Sequence, residues 1–329
     1  MISSQPYSLA QHWAKRYLEN ASSSQRIVPE GAETVGAELA PSRKSVRAIA
    51  AERLLSSLRQ VSAKAWSQTE ALLRSEIHRQ QIDKSLINAW EISQDAFLIY
   101  EKALELYTQR TSYSQVPFLM GPDIAKIRKK YTQNDPRIIG FVSMQFHYMS
   151  DLLKTQLSPI ENSLLGNCFQ VIDDHLYMPL HRAYDAAANH DNSDPRLQVV
   201  HQLIDCSHEI SVNIVERVAE LYPNYQTHGG LLSHPSVKVS SLRDTQMFQI
   251  YLFVCVLEGN FSIVEQELFP LCLMLYPKLK VHWELVRQML QLLGSEAYSR
   301  LNSDLYPIVE PYLRSFREAF SPEVFMIQD

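Results

Sequence analysis

The sequence predicts an all-α protein: a long helical hairpin followed by a multi-helix bundle, with a flexible N-terminal arm. Three observations predict it. Apolar residues recur at helical spacing through most of the chain, and strand-like alternation is missing. Only 9 glycines are spread over 329 residues, and none forms a phosphate-cradling loop after a strand. Residues 246–294, reading QMFQIYLFVCVLEGN, FSIVEQELFPLCLMLYP and KLKVHWELVRQMLQLLG, hold the densest apolar run, which only packed helices can hide.

Taken in order, Leu9, Trp13 and Tyr17 recur at helical spacing, so residues 7–19 predict a short amphipathic helix within an arm of residues 1–20. Residues 21–41, rich in Ser, Gly, Pro and Glu without period, read as a tether. A helix on a tether can dock on its own chain, on a second copy or on another protein. Leu9, Trp13 and Tyr17 are its candidate partner-binding residues.

Residues 42–116 predict the hairpin. Ser42 can cap a helix whose inner face runs Val46, Ala50, Leu54, Leu58, Val61, Ala65 and Leu72, with Trp66 beside it. After a break near Asp83, a second stripe runs Leu86, Trp90, Phe97, Tyr100, Leu104 and Tyr107. A loop holding Pro117, Gly121 and Pro122 closes the hairpin and opens the bundle of residues 117–329.

Within the bundle, a capping residue before proline marks helix starts at Asp135-Pro136, Ser158-Pro159 and Asp194-Pro195, with Glu161 completing a capping box on Ser158. Leu-Tyr-Pro at 221–223, 275–277 and 305–307 reads as a helix stop. Asn134-Asp135-Pro136-Arg137-Ile138 is similar to Ser193-Asp194-Pro195-Arg196-Leu197, but the likeness fades within a turn. The densest stretch parses into three helices: Gly259-Asn260 ends the first, Ser262 and Glu265 box the second, Pro270 kinks it, and Gly294 stops the third. Residues 223–241 form the one long non-helical segment, with His228, Gly229, Gly230 and His234 as a candidate binding loop.

Composition narrows the function. A net charge of −5 and a pI near 6.1 argue against coating nucleic acid, and the run Lys126, Arg128, Lys129 and Lys130 reads as a solvated helix face. Cys168, Cys206, Cys255 and Cys272 lie far apart and read as core residues of a reducing compartment. No segment reaches the roughly 20 apolar residues that cross a bilayer, and no secretory leader opens the chain, so a cytoplasmic protein is expected.

Three helices each place a histidine four residues before an aspartate: His147 and Asp151, His181 and Asp185, His201 and Asp205. The first pair lies opposite its helix's apolar stripe, and Asp174, His181 and Asp185 likewise oppose theirs, so these face water. His201, Asp205 and His208 flank an apolar stripe and are the candidate ligands for a divalent metal. Asp173-Asp174-His175 resembles an acidic metal cluster but has no second cluster to match. No hydrolase elbow, Cys/His nucleophile signature or di-iron Glu-x-x-His pair occurs, so catalysis has no positive support. The abundance of Tyr and Phe leaves room for a haem or linear tetrapyrrole, although covalent attachment needs an accessible Cys and all four are expected to be buried.

The C-terminal wording ELFPLCLMLYPKLKVHWELVRQMLQLLG, followed by FSPEVF, resembles a conserved helical protein of cyanobacteria, over residues 117–325. That resemblance implies a cytosolic protein of a photosynthetic cell and a photosynthesis-linked partner. It carries no site residue. The leading expectation is therefore a non-enzymatic interaction or adaptor protein that binds another protein or itself; the alternative is a metal- or tetrapyrrole-binding helical protein, with or without an enzymatic activity.

Overall fold

The computed structural model describes residues 8–15, 17, 46–112 and 115–326. The tether at 21–41 and the expected cap Ser42 lie outside the described residues. The fold is all-α, with one two-residue β-ladder among the described residues. The chain divides into two compact units, one of Met1–Trp13 with Met178–Asp329 and the other of Ala14–Tyr177. A first helix, α1, covers residues 9–15.

In the unit Ala14–Tyr177, α2 (Val46–Arg79) and α3 (Ala89–Thr108) pack against each other. The break between them is a 3-10 turn at Lys84–Leu86, where the Asp83 carboxylate accepts from Ser85 N at 2.9 Å. Asn88 then caps α3 by accepting from Glu91 N at 3.2 Å. The inner face of α2 runs Ala50, Leu54, Leu58, Val61, Ala65, Thr69 and Leu73, so the stripe continues through Leu73 where Leu72 was expected. On α3 the buried register is Ile92, Ala96, Ile99, Tyr100, Ala103 and Tyr107. Trp90 does not belong to it and is 74 % exposed. Helical sterics select a face as a whole, and one large residue one step off register stays outside.

The segment read as a loop at Pro117–Pro122 is helix α4 (Val116–Thr132). Pro117 sits in its first turn, where the missing N–H is harmless, whereas Pro122 lies inside the helix, where it forgoes the bond an N–H would make to the Phe118 carbonyl and the helix nevertheless continues. The cationic run lies on this helix. Arg128 departs from the expected solvated face: it is buried, and its Nη1 donates to the Leu176 carbonyl.

α5 (Ile138–Lys154) lies along α2 and starts two residues later than Asp135-Pro136 predicted: Arg137 is its cap residue, and the Asp135 carboxylate accepts from Arg137 N at 3.0 Å in the turn before it. Between them the Gln145 amide donates to the Ser62 carbonyl at 3.0 Å and to its hydroxyl at 3.1 Å, satisfying polar atoms in the interior. α6 (Pro159–Tyr177) carries the predicted capping box, Ser158 N to Glu161 Oε2 at 2.8 Å and Glu161 N to Ser158 Oγ at 3.3 Å. The Tyr100 hydroxyl donates to the Phe146 carbonyl at 2.8 Å, and its ring meets Phe169 edge-on.

The second unit holds α7 (Leu180–Ala187), α8 (Pro195–Asp205), α9 (Ser207–Leu221), α10 (Pro235–Glu258), α11 (Phe269–Leu275), α12 (Trp283–Arg300), α13 (Tyr306–Ala319) and α14 (Pro322–Met326). α10 is its axis. From Thr245 to Leu257 every residue is buried, because α7, α8, α9 and α13 all pack on it. Phe248, Phe316 and Phe320 form an aromatic group at one side, with ring centroids 5.6–6.0 Å apart around Phe248. Gln249 donates at 2.9 Å to Ser211 Oγ and at 3.2 Å to the Ser207 carbonyl of α9.

The punctuation differs from expectation at four places. Asn260, not Ser262, caps the helix after α10, accepting from Ser262 N at 3.1 Å. Pro270 is preceded by a π-turn at Val264–Leu268, in which Phe269 N donates to the Val264 carbonyl. The wider turn spares the carbonyl that a proline ring would strike in an α-helix. Gly294 lies inside α12, where a Cβ would stand 3.1 Å from Arg317 Nη1. Finally, the third Leu-Tyr-Pro opens a helix, with Leu305 as the cap and Pro307 in the first turn of α13. Gly259 does end α10, in the left-handed conformation at φ 69°.

Candidate functional site

Helix α1 carries the residues that sequence periodicity singled out. Leu9, Trp13 and Tyr17 are buried within the chain, Trp13 at 0 % exposure, so α1 is docked in cis. Its apolar spacing explains why it docks, and two polar anchors explain how it is oriented.

The first anchor groups His12 with α8. His12 Nδ1 lies 2.8 Å from Asp205 Oδ1, and its ring stacks on His201 with centroids 4.8 Å apart. Burial, followed by the neighbouring His12, pushes the His201 imidazole below its ordinary range, and Asp205 opposes them. Sequence spacing singled out His201 and Asp205, which lie four residues apart on α8. It missed His12, which no local spacing could supply because 193 residues separate it from Asp205.

His208 stands on the next helix. The chain breaks at Cys206 (φ −105°, ψ 8°), so α8 and α9 are separate helices and the assumed i, i+7 relation is lost. His208 is exposed in the first turn of α9. Among the described residues, no group of three or more His, Cys, Asp or Glu side chains is arranged to hold a metal ion.

The second anchor lies on α6. The Tyr17 hydroxyl donates to Asp174 Oδ2 at 2.9 Å, and the Tyr17 ring lies 6.5 Å from that of His175. Asp174 is 3 % exposed, which corrects the expectation that it faces water. A buried carboxylate needs donors, and α1 brings one. His147 and Asp151 remain a surface pair, 3.4 Å apart. His181 is half-buried, and burial lowers its pKa.

Residues 223–234 are more ordered than a free loop. Gln226–Thr227 and Gly230–Leu231 pair as an antiparallel hairpin with His228 and Gly229 at its turn. His228 N donates to the Leu279 carbonyl at 2.9 Å, and Gly230 takes φ 121°, which an L side chain adopts rarely. His234 caps α10: its Nδ1 lies 2.7 Å from Ser236 Oγ and accepts from Ser236 N at 3.4 Å. The helix thus begins at Pro235, inside the segment read as non-helical.

The thiols complete the inventory. Cys168, Cys255 and Cys272 are buried and unbridged. Burial pushes Cys168 and Cys255 up to about 12 and Cys272 well above its usual value. Cys206, expected in the core, is half-buried; its Sγ donates to the Gln202 carbonyl at 3.1 Å, and desolvation raises its pKa. No helix among the described residues is long and apolar enough to cross a membrane.

No curated relative and no solved structure matches the chain. Residues 168–320, from the end of α6 through α13 and a little under half of the 329 residues, match a family model described as phycobilisome protein. Over that stretch the chain is similar to phycobilisome proteins.

Proposed function

We propose that this protein is a non-enzymatic adaptor of phycobilisome-type assemblies, making protein–protein contacts without carrying a covalent pigment of its own. The observation that carries the reading is the match of residues 168–320 to the phycobilisome protein family. The thiols support the second half of it, since three are buried and the fourth is held by a backbone carbonyl. A family linked to tetrapyrrole light harvesting keeps pigment binding as the rival reading.

The partner-binding element of this proposal is α1. Docked in cis, it hides Leu9, Trp13 and Tyr17; on release it presents an apolar face with the pattern Leu-x2-His-Trp-x3-Tyr to another protein or to a second copy. Release of α1 is therefore the event that partner binding requires.

The test is to express the tagged protein in phycobilisome-containing cells and to fractionate intact phycobilisomes on a density gradient. The expected result is migration with the assembly and a colourless polypeptide after denaturation. A chromophore that stays on the denatured chain establishes the pigment reading, and migration only as free protein removes the adaptor reading. Trp13→Ala should reduce association without unfolding the two units; unchanged association would dismiss α1 as the partner element.

A further inference from the structure

The turn between α7 and α8 is fastened to the end of α10 through one imidazole. The His190 side chain is 8 % exposed, with Nδ1 2.7 Å from Asp194 Oδ2 and Nε2 2.7 Å from the Leu257 carbonyl oxygen. Both neighbours accept. A carbonyl has no proton to give, and a carboxylate has none while it is ionised. Asp194 keeps its charge because the Arg196 guanidinium lies on it at 2.8 and 3.2 Å, and hydrogen bonds from Arg196 and then His190 hold its carboxyl well below the usual range.

A neutral imidazole carries one N–H and one lone pair, so either tautomer serves one acceptor and turns a lone pair on the other. Turning the ring over presents carbons to both. Only the doubly protonated ring satisfies both contacts. The position favours that form as well: the Leu257 carbonyl belongs to the last turn of α10, where carbonyls have no partner within the helix and the backbone dipole favours a cation.

We propose that His190 is held as an imidazolium that clasps the start of α8 to the end of α10, and that loss of its proton opens the α10 side of the clasp. The remaining proton stays with the carboxylate, the stronger acceptor, so the Leu257 carbonyl is the contact released. The charged ring makes both bonds and the neutral ring makes one, so the clasp is complete on the acid side and weakens as pH rises. The neighbouring groups hold their charge through that change. Arg196 is joined to Asp194, and Arg182 of α7 is joined to Glu258 of α10 at 2.6 and 2.7 Å. Burial raises Tyr312 of α13 and pushes Cys255 of α10 up to about 12, so both keep their protons. Asp191, in the same turn, is exposed. The clasp is independent of α1 and of the adaptor reading, since none of its residues belongs to either anchor.

Nitrogen-15 spectra of the full chain, labelled in its histidine rings and backbone, read these protons directly. At neutral pH both ring nitrogens of His190 are expected to carry a proton. Raising the pH should remove the one on Nε2 and shift the backbone amide signal of Glu258, which shares a peptide group with the Leu257 carbonyl, in the same titration. His190→Gln assigns the ring signals by their loss and should leave the Glu258 amide without that titration; His190→Asn serves both purposes if the first variant does not fold. Asp194→Asn removes the anion and should leave His190 with one ring proton at neutral pH. An unprotonated ring nitrogen in the wild-type chain at neutral pH, or a Glu258 amide that stays in place while the ring titrates, would overturn the proposal.

Discussion

The guanidinium of Arg196 folds back onto the carboxylate of Asp194, with Nη2 to Oδ2 at 2.8 Å and Nε to Oδ1 at 3.2 Å, while the Arg196 backbone N–H donates to Oδ1 at 2.9 Å. Arg137 and Asp135 repeat the arrangement at 2.7, 2.9 and 3.0 Å. In both cases the arginine also attends the end of a long helix. Arg137 Nη1 donates to the Gln80 carbonyl just past α2, and Arg196 stands beside Gly259, the cap of α10. Asp194 therefore serves a helix start and positions a cation at a helix end, where the backbone dipole favours one. Asp194→Ala should cost about 1–2 kcal/mol, the usual cost of a lost cap, and Asp194→Asn, which keeps an acceptor, should cost less; urea unfolding measures both.

The same carboxylates set the acid limit. Hydrogen bonds from Arg196 and then His190 hold the Asp194 carboxyl well below its usual range, and Arg137 lowers that of Asp135. Both native pKa values lie below the unfolded value of about 3.9. Their contribution is complete above that pH and is lost as pH falls through the native values. The urea midpoint should fall as pH drops below about 4, and the double change Asp135→Asn with Asp194→Asn should flatten that fall.

His201 acts in a milder range. Its folded pKa is lowered, so the unfolded chain takes up this proton first, and docking loses stability as pH falls from about 6.5. Fluorescence of Trp13 against pH should report α1 loosening between pH 7.5 and 5 (about the range in which histidine charges), and His201→Phe should reduce that dependence.

Tyr17→Phe removes a donor from the buried Asp174 carboxylate and should cost about 1–3 kcal/mol. Trp13→Ala empties a fully buried aromatic site and should cost about 3–5 kcal/mol of docking. Hydrogen exchange of the α1 amides should rise in each variant while that of α10 stays unchanged.

Gly259 and Gly294 should respond oppositely to alanine. Gly259→Ala forces an L side chain to φ 69° and should destabilise by about 1 kcal/mol. Gly294→Ala gains helix propensity of up to about 1 kcal/mol and displaces only the mobile tip of Arg317, so a neutral or stabilising effect is expected in thermal melts.

Much of the fold was readable because helices declare themselves locally. The stripe on α2, the box at Ser158 and the stop at Gly259 all follow from residues within a few positions of each other. What escaped depends on distant residues. Asp174 is buried because Tyr17 covers it from 157 positions away, and Arg128 because the Leu176 carbonyl receives it. Pro117 and Gly294 misled for the opposite reason: each is a breaker in general, but one sits where its missing donor is harmless and the other where a neighbour's guanidinium fills the space. At the site, helical spacing found His201 and Asp205 and then overran the break at Cys206 to include His208.

The π-turn at Val264–Leu268 holds one residue more than an α-helical path would need. Each residue turns a helix by about 100°. Removing one residue from that turn would therefore swing the downstream face, so that Leu271, Cys272 and Leu275, now inside, would rotate away from the core. The chain behaves there as a spliced register: an insertion and the proline after it are tolerated together, and deleting the extra residue alone would leave Pro270 in a tight helix with its ring against the preceding turn.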